Sequence, residues 1–340
     1  DLVRAKALVR SAARAFGPKE PVARARCVVA EAEIALASRD LGWPAKALDA
    51  ARATLEAHGD RLNAAHARYL EVRRLLLIGR LDEAERLLAR LDPAPFPPAP
   101  RAAHELVVAG IAMRRLQTKQ ARAALAEAER AARQAGIPSL TAEVDSARLL
   151  LNTPAARLVA HGEERPLLLE EVEALLASKA LVVDACRYVV REANIVVPLA
   201  RRPVLFTLAR TLAEAWPEDV PRDALIARAF RTKHADETHR ARLRVEVGRL
   251  RALLGPLAGI SATRRGFALA PHGAREVVVL ARPVGVAERR VVPVVRQQPL
   301  HLAAGELARR AAGGGQQVQR GQDVVGDVAY ENVADGASSW

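Results

Sequence analysis

Three times within its first 125 residues the chain interrupts a run of helix-periodic apolar residues with a tight polar turn and then resumes the period. Arg39-Asp40-Leu41-Gly42-Trp43-Pro44-Ala45-Lys46-Ala47-Leu48 does so first, and Leu76-Leu77-Ile78-Gly79-Arg80-Leu81-Asp82-Glu83-Ala84-Glu85 second. Leu116-Gln117-Thr118-Lys119-Gln120-Ala121-Arg122-Ala123 is the third. Aligned on these turns, Gly42 falls on Gly79, and Ala47 on Ala84 and Ala123, at spacings of 37 and 39 residues. The alignment predicts helix pairs joined by tight turns, with a small residue five positions after each turn where two helices approach closely. Such pairs bury an apolar face only by stacking on their neighbours, so a period of this size dictates an array of helix hairpins.

Composition agrees with a mainly α chain. Half the residues are apolar, yet aromatics are only 3%, a balance that favours packed helices over aromatic-rich sheets. A length of 340 residues accommodates two ordinary domains. Arg, Glu or Asp breaks every apolar run before the roughly 18 residues that a membrane span needs, so a soluble chain is expected. No basic and apolar leader opens the sequence at Asp1, which makes the cytoplasm the expected location, while the missing Met points to a preceding piece. Cys27 and Cys186 are the only cysteines, and each reads as core filler rather than as part of a disulfide framework or metal knuckle.

The helix pairs resemble the tetratricopeptide repeat, whose nominal period is about 34 residues. Two departures stand out: the turn glycine becomes Thr118 in the third unit, and the Asp92-Pro93-Ala94-Pro95-Phe96-Pro97-Pro98 linker stretches the period. The resemblance implies that residues 1–160 offer a concave surface to a peptide or protein partner. The alternative is a plain helical bundle that spaces or dimerises the second half. Residues 1–160 hold no Ser/His/Asp set, no Cys/His pair and no Gly-rich phosphate loop; His58, His66, His104 and His161 read as surface or capping residues. No enzymatic activity and no cofactor is expected.

The net charge is +13, and it is unevenly spread. Residues 1–160 carry 26 Lys/Arg against 18 Asp/Glu, whereas residues 201–272 carry 14 against 7. The basic excess is therefore about twice as dense in the second region, where lysine and arginine can replace the counterions condensed on a polyanion.

Between the two regions, Pro154 and His161-Gly162-Glu163-Glu164-Arg165-Pro166 punctuate the helical period, and 161–179 reads as a linker carrying a short helix from about Leu167 to Ser178. The period then turns alternating. Ala180 to Val190 and Asn194 to Leu199 are rich in β-branched residues and are joined by Arg191-Glu192-Ala193, as in a small antiparallel platform. Three helical segments follow, Arg202 to Trp216, Arg222 to Phe230 and Asp236 to Leu254, with Pro217 and Pro221 bounding the first two and Asp236 in the N-cap position of the third. Ile260 to Leu269 alternates as a hairpin does.

The order platform, three helices, hairpin resembles the OmpR/PhoB-type winged-helix family over residues 180–271. Arg222-Asp223-Ala224-Leu225 matches the family's Arg-acid-x-Leu opening of the second helix, with Phe230 in place of the usual Trp at its end. Leu243-Arg244-Val245-Glu246-Val247-Gly248-Arg249-Leu250-Arg251 matches the recognition-helix pattern Val-Asp-Val-His-Ile-x-Arg-Leu-Arg, and Gly266-Phe267 stands for the wing's Gly-Tyr. The resemblance implies an N-terminal α–α repeat array followed by an α+β winged helix-turn-helix domain, and a transcription regulator that binds double-stranded DNA, compatible with a homodimer on repeated half-sites. The family's usual phosphoacceptor receiver has no counterpart in residues 1–160.

Helical spacing gives the same site without the family. Leu243, Val247, Leu250 and Leu254 recur at four, three and four residues, a core-facing stripe. Arg242, Val245, Glu246 and Arg249 then fall on another face, available to a major groove that admits one helix. Arg249 is the leading base contact, Arg240, Arg242 and Arg244 reach bases or phosphates, and Arg251 braces the fold. Arg264 and Arg265 on the wing suit a narrow minor groove. A solvated charged face is the bland alternative, but residues 240–251 hold five arginines and one acid, Glu246. His234 to His239 reads as loop plus cap, not as a zinc site. The competing class is an interaction scaffold that uses the winged helix for protein docking.

Residues 272–340 read as a weakly structured tail or small accessory element. Val277–Leu280 and Val291–Val295 fit strands and Leu302–Ala312 fits a helix, before a polar, Gly/Gln-rich stretch over 313–322.

Overall fold

The computed structural model describes residues 2–43, 45–232 and 235–283. The proposed strand at 291–295, the helix at 302–312, the low-complexity stretch and His234 lie outside the described residues. Within them the chain is mainly helical, with a smaller sheet region towards its C-terminal side. No helix of the described residues is long and apolar enough to cross a membrane.

Eight helices come first: α1 (Leu2–Ala15), α2 (Pro21–Ala37), α3 (Ala45–Ala57), α4 (Arg61–Leu77), α5 (Leu81–Leu88), α6 (Pro98–Arg115), α7 (Thr118–Ala135) and α8 (Pro138–Leu151). α2 pairs with α3, α4 with α5 and α6 with α7, while among the first helices α2 packs on α4 and α4 on α6. The turns inside the pairs share one hydrogen bond, from a residue just past the helix to the carbonyl five positions back: Asp40 N to Ala35 O at 2.8 Å, Arg80 N to Leu75 O at 2.9 Å and Gln117 N to Ala112 O at 2.9 Å. Each follows a residue of positive φ, Arg39, Gly79 and Leu116, the left-handed close of a helix that satisfies its last carbonyls.

These residues, spaced by 40 and 37, define the true register. The alignment of Gly42 with Gly79 is therefore displaced by three residues. Ala84 is fully buried as expected, but Ala47 and Ala123 are exposed and Ala121 takes the buried slot. The correct register also aligns Leu48, Leu88 and Leu125, all buried. Glycine marks the left-handed turn in only one unit, because Arg39 and Leu116 adopt positive φ without it.

Two of the histidines read as surface groups are buried instead. His66 Nε2 lies 3.3 Å from Glu33 Oε2, and His104 Nδ1 lies 3.3 Å from the Tyr69 hydroxyl. Arg73 on α4 pairs with the buried Glu143 on α8; burial pushes the Glu143 carboxyl up, and the guanidinium opposes that shift. Helices rich in alanine pack closely enough to enclose polar side chains, provided that each finds a partner. His58 does cap the end of α3, its Nδ1 2.8 Å from Thr54 O.

The second part contains β1 (Ala156–Ala160), β2 (Glu163–Leu167), α9 (Leu169–Ala177), β3 (Leu181–Asp184), β4 (Val189–Glu192), β5 (Ile195–Pro198) and α10 (Pro203–Ala215). Then come β6 (Val220–Pro221), α11 (Arg222–Phe230), α12 (Glu237–Leu254), β7 (Ala258–Ala262), β8 (Gly266–Pro271) and β9 (Val277–Ala281). Strands pair in the order β2-β1-β9-β3-β4-β5 in one sheet and β6-β8-β7 in another. The run 180–190 is thus two strands, turned by Asp184, whose Oδ1 accepts from Cys186 N and Arg187 N.

Two boundary expectations need correction. Residues 156–167 form a β-hairpin of the large sheet, and α9 is packed on both sides rather than free as a linker: Glu173 Oε2 accepts from Thr118 N at 2.8 Å and from its hydroxyl at 2.5 Å, closing the open start of α7. Residues 277–281 are no loose tail. β9 lies in the middle of the sheet, antiparallel to β1 and parallel to β3, and all five of its residues are buried. Val277, Val279 and Ala281 join the core beneath α10 and α12, while Val278 and Leu280 join the core beneath α9. The two-residue alternation of a strand explains how five apolar residues serve two cores.

Candidate nucleic-acid interface

α12 begins where its sequence says it should. Asp236 Oδ1 accepts from the backbone N of His239 at 2.8 Å and approaches its ring Nδ1 at 2.6 Å. The backbone bond holds the Asp236 carboxyl below its usual range. Leu243, Val247, Leu250 and Leu254 form the buried stripe, packed with α10, α11 and β7.

At 100° per residue, the direction opposite that stripe is occupied by Ala241, Arg242, Val245, Gly248, Arg249 and Ala252. All six are exposed, and Val245 is 52% exposed. Ala241, Val245, Gly248 and Ala252 keep the centre of this face low, so that a partner can approach the helix backbone, and Arg242 and Arg249, seven residues apart, line one edge of it. Arg240 and Arg244 are exposed on one flank. Glu246 falls on the other flank and its side chain is only 14% exposed, with Oε1 2.9 Å from Arg249 Nη1. Together they line a shallow cleft of about 390 Å³ with Arg202 to Leu205 at the start of α10. Glu246 is therefore turned off the outward face, and Arg202, which the sequence pattern did not single out, stands next to Arg249.

The arginines differ in how they are held. Arg244 Nη2 lies 2.9 Å from Glu237 Oε1, and Arg240 lies 3.7 Å from Glu237 and 3.8 Å from Asp223. Arg265 lies 3.7 Å from Asp219. Arg242 instead stacks its guanidinium 4.5 Å from the Phe230 ring centroid. Among the described residues, Arg242 and Arg264 have no carboxylate within ion-pair distance. Exposed pairs of this kind contribute about 0–1 kcal/mol each, so exchanging a carboxylate for a phosphate costs little.

The hairpin β7–β8 turns at Thr263 to Gly266 and carries Arg264 and Arg265 exposed at its tip. Arg222, the first residue of α11, fixes that turn. Its Nη1 donates to Arg264 O and its Nη2 to Thr263 O, each at 3.0 Å, and its guanidinium lies 5.5 Å from the Phe267 ring centroid. The Thr263 hydroxyl donates to Asp219 Oδ2 at 2.5 Å. Gly266 is required sterically: a Cβ there would lie 1.7 Å from Val220 O. Arg251 braces α12 against β7 with two bonds to Ile260 O, at 3.0 and 2.7 Å. The positioning residues Asp219, Arg222 and Thr263 were not marked as such by sequence. The half-buried pairing of an acid three residues before α11 with the hairpin hydroxyl spans 44 positions and leaves no local signal.

Chemically the surface offers cations, a methyl-bearing valine and low relief. Among the described residues no three His, Cys, Asp or Glu side chains gather as a metal would need. Comparison of the chain with protein-family models, with curated proteins and with solved structures finds no match.

Proposed function

We propose that residues 180–271, completed by β1, β2 and β9, are a winged-helix DNA-binding domain of the OmpR/PhoB type, and that the chain is a cytoplasmic transcription regulator. In this reading α12 enters the major groove of duplex DNA, with Arg242 and Arg249 at base edges or adjacent phosphates and Val245 against a thymine methyl. The β7–β8 hairpin is the wing, bringing Arg264 and Arg265 to the neighbouring minor groove. The helix pairs of the N-terminal half are tetratricopeptide-like and receive the protein or peptide signal that a receiver domain would otherwise supply.

The observation that carries the reading is the outward face of α12: a low strip of Ala241, Val245, Gly248 and Ala252 opposite a fully buried stripe, bordered along one edge by the exposed Arg242 and Arg249. A face built only for solvation has no need of that low relief.

The test is salt-dependent binding of the full chain to duplex DNA. Affinity should fall steeply with salt, and Arg242→Ala should lower the slope of log K against log salt by about 1. Arg249→Ala should cost about 1–3 kcal/mol on a selected site. Absence of binding at low salt, or full retention in the double variant, refutes the DNA reading and leaves α12 as a protein-docking surface.

A further inference from the structure

The second helices of the successive pairs differ in length. α3 has 13 residues and α7 has 18, but α5 has only eight. The short α5 leaves a cleft of about 610 Å³ between α3 and α5, floored by α4, a volume in the range of small-molecule sites. Leu48 and Leu75, both buried, and the half-buried Leu87 give it an apolar floor.

Its rim is basic in excess. Six of the lining side chains are cationic and three are acidic. Arg52 and Arg80 are matched by carboxylates at 2.6 and 2.7 Å. Lys46, Arg86 and Arg90, by contrast, have no carboxylate within ion-pair distance among the described residues. Two polar atoms of cleft-lining side chains are buried with no hydrogen-bond partner, Arg68 Nε and Glu71 Oε2. Both atoms are enclosed, and the other polar atoms of these side chains are paired, Arg68 with Glu56 and Glu71 with Arg74, which leaves Lys46, Arg86 and Arg90 as the cations open to a ligand.

We propose that this cleft binds a small amphipathic organic anion, with one carboxylate, sulfonate or phosphate held by Lys46, Arg86 and Arg90 and an apolar body on the leucine floor. The site lies between second helices of adjacent pairs, away from α12, and probe affinity and its loss in the variants are read before any DNA is added, so its failure and that of the DNA reading are separable.

The probe is 8-anilinonaphthalene-1-sulfonate, an aromatic body with a single anionic group, titrated by fluorescence into the full chain. The uncharged analogue N-phenyl-1-naphthylamine is titrated in parallel. One saturable sulfonate site is expected, weakened about tenfold in the Lys46→Ala/Arg90→Ala double variant. The uncharged analogue should bind the wild type and the double variant alike, and Lys119→Ala, an exposed change outside the cleft, should alter neither. Both substituted side chains are exposed and leave no acid unpaired, so unchanged circular dichroism is expected. The proposal is overturned if no saturable site appears, if the double variant binds the sulfonate as tightly as wild type, or if short duplex DNA displaces the probe competitively. The last outcome assigns the cations to phosphate backbone contacts instead.

Discussion

Val278 and Val279 are adjacent in β9, fully buried, and face different cores. Replacing either with alanine deletes two methyl groups, a transfer loss of about 1.6 kcal/mol at roughly 0.8 kcal/mol per buried carbon. The residual cavity raises each cost to about 2–3 kcal/mol, because flanking strands β1 and β3 prevent collapse. The two side chains share no core, so their costs should add, and the double variant loses about 4–6 kcal/mol, a large part of a domain's usual 5–15 kcal/mol. The assay is hydrogen exchange by mass spectrometry on the full chain, comparing α10, above β9, with α4 in the helical array. Local exchange is the appropriate observable because several cores make a single midpoint ambiguous. Protection in α10 should fall in both single variants and nearly vanish in the double, and α4 should be little changed. Val196→Ala, on the exposed edge strand β5, should change stability by no more than about 0.5 kcal/mol. Unchanged α10 protection in Val278→Ala/Val279→Ala, or in a chain truncated after Pro271, would refute the placement of β9 between the two cores.

Two further outcomes follow from single contacts. Gly266→Ala places a Cβ against Val220 O and should push the hairpin off β6; DNA affinity is expected to drop while α4 protection persists, and undiminished affinity would show that the hairpin takes no part. Burial lowers the pKa of His104, so the folded state resists its protonation. Its contribution is complete above the unfolded value near 6.5 and declines as pH falls below it. The melting temperature should therefore fall between about pH 7.5 and about pH 5.5, and His104→Gln should flatten that dependence; an identical slope in the variant contradicts the assignment.

Much of the outline was legible from sequence. The helix ends at Trp216, Phe230 and Leu254 agree with the structure to within a residue, as does the Asp236 cap, because periodicity and capping are settled within a few neighbouring residues. The buried stripe of α12 was equally readable, and so was the brace role of Arg251. Its acidic counterweights were not. Counting charges along residues 240–251 found one acid, whereas Asp219, Asp223 and Glu237 come in from outside that window. Glu246 was assigned by position to the exposed face, yet it turns towards α10, a neighbour that helical periodicity cannot see.

By itself, the sequence determined where the helices between residues 167 and 254 lie, that helices in the first half come in pairs, and which edge of α12 is apolar. Each of these depends on contacts a few residues apart. Tertiary structure alone decided that Val277–Ala281 closes the sheet between β1 and β3, that His66 and His104 are buried, and that the left-handed turns fall at Arg39, Gly79 and Leu116. Strand pairing and side-chain enclosure join residues far apart in the chain, and an apolar run such as Val-Val-Val-Leu-Ala is the same run wherever in a sheet it pairs.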